Sequence, residues 1–159
     1  MNRSPLILIK LLSLLFVLGL MTGCGAGINT NSSEASPKAQ LAVRDAYSQM
    51  GKPYRLGGAS PRQGFDCSGL IYWAYGKNGV KVPRRTTDQL TAGHKVARNA
   101  PLPGDIVVFR MGGASLHTGM YAGGNAFIHS PRKGSHVRME SLTSPYWKKK
   151  LISIRRVSS

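Results

Sequence analysis

One cysteine and two histidines, Cys67, His117 and His129, are the residues of this 159-residue chain whose types and order could support nucleophilic catalysis. Cys67 stands in Gly64-Phe65-Asp66-Cys67-Ser68-Gly69-Leu70-Ile71, a short polar step leading into an apolar run. A thiol just inside a helix start faces unpaired backbone N–H groups and the positive end of the helix dipole. Both favour a thiolate, which is the nucleophilic form. Such a nucleophile needs a base that takes its proton and later returns it to the leaving amine, and histidine titrates near working pH. The base in turn needs a group on its other ring nitrogen to fix its tautomer. His117 and His129 fall in consecutive strand-like segments, and adjacent antiparallel strands set side chains side by side. The order therefore predicts that His129 bonds His117 while His117 faces Cys67 on a helix packed against a sheet.

Each of these residues has a plainer role when taken alone. A strand histidine can be an ordinary core or surface residue, and Cys67 a small buried hydrophobe. Tyr54 can be a core ring whose hydroxyl has found a partner, and Asp66 a helix cap. His94 and His136 lie in polar, basic surroundings and read as surface residues. A zinc site built from Cys67, His117 and His129, with water as a fourth ligand, is the chemical alternative to a nucleophile and its base.

The elements that must position these residues come in two blocks. Ser36-Pro37 is a helix start, with Ser as N-cap and Pro at the first helical position. Leu41, Ala42, Ala46 and Met50, with Val43 and Tyr47, continue it at helical spacing, and Gly51 stops it. The nearly all-apolar Leu70–Tyr75 predicts a buried helix after Cys67. Thr86 and Gln89 have capping-box spacing for a short third helix ending by Gly93. From Pro101 the period shortens. Asp105–Phe109, Leu116–Tyr121 and Ala126–His129 read as strands separated by Gly-rich turns, with Val137–Met139 and Leu151–Ile154 as further strands. Helices followed by a strand meander predict an α+β domain with its helices packed on an antiparallel sheet.

Lys and Arg number 22 against 6 Asp and Glu, a net charge of +16. Such a field attracts polyanions: nucleic acid, anionic lipid or an acidic wall polymer. It also fits a generic solvated basic face. Hydrophobic content of 42% excludes wholesale disorder. The N-terminus selects a compartment. Arg3 and Lys10 flank an apolar run, Leu11 to Met21, too short for a permanent membrane span and suited to an export signal. Export removes nucleic acid from the expected partners. The run ends in Leu20-Met21-Thr22-Gly23-Cys24, which resembles the bacterial lipoprotein signal, with Met21 where Leu is usual. Residues 1–23 are thus expected to be cleaved and Cys24 to be acylated, with 24–36 as a flexible tether and 37–159 as a single domain. Gly25 suits outer-membrane sorting in a Gram-negative cell. A lipid on Cys24 forbids a Cys24–Cys67 disulfide and leaves Cys67 free.

Several separated motifs, taken jointly, resemble one family. Pro53-Tyr54-Arg55-Leu56-Gly57-Gly58, Phe65-Asp66-Cys67-Ser68-Gly69-Leu70, Pro83-Arg84, Leu102-Pro103-Gly104-Asp105, His117-Thr118-Gly119-Met120-Tyr121 and Phe127-Ile128-His129 look like the NlpC/P60 cell-wall cysteine peptidases. The resemblance runs from about Leu41 to Ile154 and is nearest to the small single-domain lipoproteins of enterobacteria. It implies a papain-like fold and hydrolysis of peptidoglycan stem peptides at a bond involving D-glutamate or diaminopimelate, without a cofactor. It implies Cys67 as nucleophile, His117 as base and His129 as the orienting third member. It further implies that Tyr54 lines the site and helps bind the oxyanion, that Asp66 is the acidic neighbour of the nucleophile, and that Ser68 approaches substrate. Expected partners are stem peptides and, through Cys24, a membrane, with the protein a monomer in the cell envelope. Amidase or acyltransferase chemistry on another substrate, and wall binding without catalysis, are the competing readings. Two departures stand out: Thr118 replaces the usual Val, and Ser130-Pro131-Arg132 follows His129, where the proline ends the strand early.

Overall fold

The computed structural model describes residues 34–157; the expected export signal, Cys24 and most of the expected tether lie outside them. Helix α1 (Pro37–Tyr47) starts as expected, with the Ser36 side chain accepting from Ala39 N and Pro37 in the first turn. Its buried face is Ala39, Ala42 and Ala46, whereas Leu41 and Met50 are exposed. Small residues sit inward because the helix lies close against its neighbour, and the larger side chains are left outside. Short strands β1 (Ala59–Ser60) and β2 (Gly64–Phe65) form a two-stranded ribbon that leads directly into helix α2 (Cys67–Lys77). A single turn, α3 (Thr86–Gln89), and a short strand, β3 (His94–Lys95), follow.

The strand block is β4 (Ile106–Gly112), β5 (Ser115–Gly123), β6 (Ala126–His129), β7 (Arg138–Ser141) and β8 (Leu151–Arg156), with helix α4 (Pro145–Lys150) between the last two. They form an antiparallel sheet in the order β3-β8-β4-β5-β6-β7. This is the expected α+β, papain-like architecture. Strand alternation divides the core in two. Ile106, Val108, Met120 and Ile128 pack against Ala42, Leu70, Ile71, Ala74 and Tyr75 from α1 and α2. Val107, Phe109, Tyr121 and Phe127 pack on the opposite face against Trp147 of α4, Leu151 and Ile154.

Two expectations are corrected. Thr86 does not cap α3: Arg85 takes the cap position without a side-chain capping bond, and Thr86 is the first helical residue. Gln89 is buried and its amide donates to the carbonyls of Ser68 and Pro83, so it ties α3 to the start of α2. Helix α4 is an element beyond those expected, although Ser144-Pro145 repeats the start signal of Ser36-Pro37. Among the described residues no helix is long and apolar enough to cross a membrane.

Asp105 holds the end of the sheet. It is 2% exposed, caps Leu102 N and pairs with Arg156, whose Nε and Nη2 lie 2.8 and 2.7 Å from its oxygens. Thr118, on the helix-facing side of β5, is fully buried and its hydroxyl has no partner among the described residues. A buried unpaired hydroxyl destabilises by about 1–3 kcal/mol relative to a satisfied one. Thr118→Val should therefore stabilise the fold by about 1 kcal/mol. Chemical denaturation measures this; an unchanged or lower midpoint would refute it.

Candidate active site

Asp66 fixes the start of α2. Its carboxylate accepts from Gly69 N at 2.7 Å, capping the helix, and from Gly57 N at 2.9 Å in the preceding loop. Arg84 closes the other side with a two-pronged contact at 2.9 and 2.8 Å. Burial alone would raise the Asp66 pKa, but Arg84 and the two backbone donors outweigh it and hold the carboxyl below the usual range. Ser68 is buried, donating to Asp66 and accepting from Arg84. Gly69 has no room for a side chain, since a Cβ there would overlap the Gly58 carbonyl oxygen. Cys67 is therefore seated at the first turn by its neighbours rather than by its own contacts. It is a free, half-buried cysteine whose sulfur lies 3.7 Å from Thr86 Oγ1.

Tyr54 lies beside this turn. It bridges to Phe65, and Arg55 N donates to Phe65 O at 2.9 Å. Burial, then the proximity of Cys67 and Asp66, raises the Tyr54 pKa.

The histidines come from the sheet. His117 on β5 and His129 at the end of β6 meet with Nε2 of the first 2.8 Å from Nδ1 of the second. Each ring is enclosed by aromatic side chains. Trp147 stacks on His117 at 5.7 Å and 27°, and meets His129 edge-on at 5.2 Å. Phe109 and Phe127 complete the surround. Burial, reinforced by His129, lowers the His117 pKa to about 3. Burial lowers that of His129 to about 4 against the opposing pull of Glu140. Both rings are thus neutral at pH 7, and each has one N–H and one lone pair to assign. Among the described residues His117 Nδ1 makes no hydrogen bond, and it is not sealed from solvent.

One side-chain hydrogen bond ties the end of the His129 strand to the segment that delivers Cys67. Ser130, the residue after His129, donates its hydroxyl at 2.7 Å to the carbonyl of Phe65, two residues before Cys67. Residues 51–54 and 135–137 are also laced together, through Tyr54 N to Ser135 O at 2.8 Å and Val137 N to Lys52 O at 2.8 Å. Helices α2 and α3 both pack on β5. No hydrogen bond joins Cys67 to either histidine among the described residues. By strand alternation both histidines share the sheet face of Phe109, Phe127 and Trp147, opposite the face packed on α2, so the expected facing of His117 and Cys67 is not among the observed contacts; catalytic contacts commonly tighten only when substrate binds.

The arrangement suits proton transfer better than metal binding. His117 Nε2 and His129 Nδ1 face one another, so neither atom is available to a common ion. Among the described residues no cluster of three or more His, Cys, Asp or Glu could hold a metal. Four residues beyond the sequence-based candidates belong to the site by contact: Thr86, Ser130, Glu140 and Trp147. The Ser144-Pro145 helix start would have pointed to Trp147; the other three are placed by tertiary packing alone.

The NlpC/P60 family model matches residues 51–156. Over 139 residues the chain is 38% identical to the murein DD-endopeptidase MepH of Escherichia coli K12, covering 84% of this chain and 51% of the relative. Over 119 residues it is 40% identical to the murein DD-endopeptidase MepS/murein LD-carboxypeptidase of the same strain, covering 74% and 62%. The chain therefore spans about half to three-fifths of the length of these curated relatives. In three dimensions it superposes on the crystal structure of an NlpC/P60 family protein from Bacillus cereus ATCC 10987. The TM-score is 0.71 and the identity 31%, covering 77% of this chain and 41% of that one.

Proposed function

The chain belongs to the NlpC/P60 family, and on that premise we propose that it is a peptidoglycan endopeptidase cutting stem-peptide or crosslink amide bonds at D-glutamate or diaminopimelate. The observation that carries the reading is the 2.8 Å His117–His129 pair, with the strand that ends in it bonded through Ser130 to the segment delivering Cys67. The Cys67 sulfur attacks the scissile carbonyl carbon as its proton passes to His117 Nδ1. The tetrahedral oxyanion is held by the Cys67 backbone N–H, which makes no other hydrogen bond, and by the Tyr54 hydroxyl. Collapse breaks the C–N bond, His117 returns the proton to the leaving amine, and water then hydrolyses the thioester. His129 orients His117. Asp66 and Ser68 act through the position of Cys67 at the head of α2.

The protein is proposed to work in the cell envelope as a lipid-anchored monomer. Residues 1–23 serve as export signal, residues 24–36 as tether, Cys24 as acylation site and 37–159 as the peptidase domain. In a Gram-negative cell Gly25 directs it to the periplasmic face of the outer membrane. Two acyl chains or more are needed for stable anchoring.

Mass spectrometry of muropeptides released from purified sacculi tests the function. Since two relatives are named as DD-endopeptidases, the diaminopimelate–D-alanine crosslink is the bond to look for first. Loss of crosslinked dimers, unaffected by chelator and abolished by iodoacetamide, is expected. Binding of sacculi without any new fragment would make this a wall-binding protein instead, and chelator-sensitive cleavage would indicate zinc.

A further inference from the structure

The histidine pair does not end at His129. Among the described residues its buried Nε2 has no partner in full hydrogen-bond geometry, and it lies 3.4 Å from Oε1 of Glu140 on β7. Glu140 is opposite Phe127 in the β6–β7 register, which turns its side chain to the same face as both histidines. It is not free to turn away. The Trp147 indole N–H donates to Oε2, and Arg138 Nε donates to Oε1 at 2.6 Å. Arg138 is itself held by Ser135 at 2.8 Å. The charged groups facing His129 are thus Glu140 and Arg138 from β7; His117 from β5 is neutral at rest, and α4 contributes only the neutral Trp147.

We propose that Glu140 is a positioning residue that sets the tautomers of both histidines and supports the positive charge they receive during catalysis. The assignment rests on the Cys67–His117 reading above. A carboxylate can only accept, so it selects the form of His129 with a proton on Nε2. Nδ1 of His129 then carries a lone pair and accepts from Nε2–H of His117. That leaves Nδ1 of His117 without a proton, the form able to take one from Cys67. Without Glu140, the reverse order leaves no buried donor unpaired: His129 protonated on Nδ1, and His117 presenting N–H where a lone pair is required. When the thiol proton arrives, the imidazolium is buried among aromatic rings. Glu140 is the carboxylate next to the pair, and its contact with His129 shortens in the charged state.

Three measurements on the full chain test this. In Glu140→Gln, kcat on a crosslinked muropeptide should fall about 10–100-fold with KM unchanged, by analogy with the loss of the carboxylate behind a metal-bound histidine. Both limbs of the pH–rate profile should move to lower pH, because removing a negative charge lowers every neighbouring pKa. Glu140→Asp should restore the limbs towards their original positions. Histidine 15N spectra of Glu140→Leu should show His129 changing from the Nε2–H to the Nδ1–H form. Unmoved limbs in Glu140→Gln, or an unchanged tautomer in Glu140→Leu, would overturn the proposal, whatever either variant does to thermal stability. Failure here with Cys67→Ala inactive sinks Glu140 alone; an active Cys67→Ala sinks the underlying mechanism.

Discussion

Cys67→Ala should lower the rate of muropeptide release by about 10⁴-fold or more, leaving only the modest acceleration that binding and oxyanion donors can give without a nucleophile. The fold should be unaffected. Among the described residues the sulfur's one hydrogen-bond contact is Thr86 Oγ1 at 3.7 Å, and the residue is half-buried at the first turn of α2. Seating of that turn depends on the Asp66 cap, the Gly69 contact and Arg84, all of which survive the substitution. An unchanged melting temperature with lost activity is therefore the expected pair of results. His117→Ala should lose nearly as much, since no other described base is bonded into the pair. His129→Ala should retain more, because it removes orientation and not the proton acceptor itself. Sacculi digested by Cys67→Ala at the parent rate would remove the thiol from the mechanism.

Asp66→Ala should be the most destabilising change near the site. The carboxylate receives the Gly69 and Gly57 amides, the Ser68 hydroxyl and both prongs of Arg84. Its side chain is 12% exposed and that of Arg84 32%. Loss of the cap alone costs about 0.5–2 kcal/mol. Leaving a partly buried guanidinium without its carboxylate brings the total to about 3–5 kcal/mol. For a domain of this size that lowers the melting temperature by roughly 10–20 °C. The same dependence should appear with pH. The Asp66 pKa is depressed in the fold, so its contribution is complete above the unfolded carboxylate pKa and is lost as pH falls through the lower folded value. The parent should therefore lose stability on acidification more steeply than Asp66→Ala. Parallel acid profiles, or a shift of only a few degrees at pH 7, would show that the network contributes little.

The sequence made some of this legible and hid the rest for identifiable reasons. The Ser36-Pro37 cap, the apolar helix after Cys67 and the strand meander are local signals, and each element forms where its residues predict. The choice of buried face on α1 was not local. Ala39 rather than Leu41 lies inward because the neighbouring helix comes close, which no periodicity of α1 alone records. Thr86 and Gln89 matched a capping pattern, yet their side chains serve Cys67 and the carbonyls of Ser68 and Pro83. A spacing of three residues states what is possible within a turn, and tertiary partners decide which bond is made. The same holds for the histidines. Their order along the strands suggested contact, while the wall of Trp147 and the carboxylate of Glu140 arrive from elements that follow in the chain.

The position of the proposed site residues along the chain has a consequence for how it can be divided. The thiol, its cap and Tyr54 lie before Pro101; both histidines, Glu140 and Trp147 lie after it. Each segment carries part of the proposed catalytic set, and the buried cluster of Leu70, Ile71, Ala74, Ile106, Val108, Met120 and Ile128 is built from both. A cut in the stretch between β3 and β4 would yield two inert pieces whose reassociation could be scored by returning hydrolysis. The domain is thus a natural candidate for a split reporter, in which turnover counts encounters between the fragments.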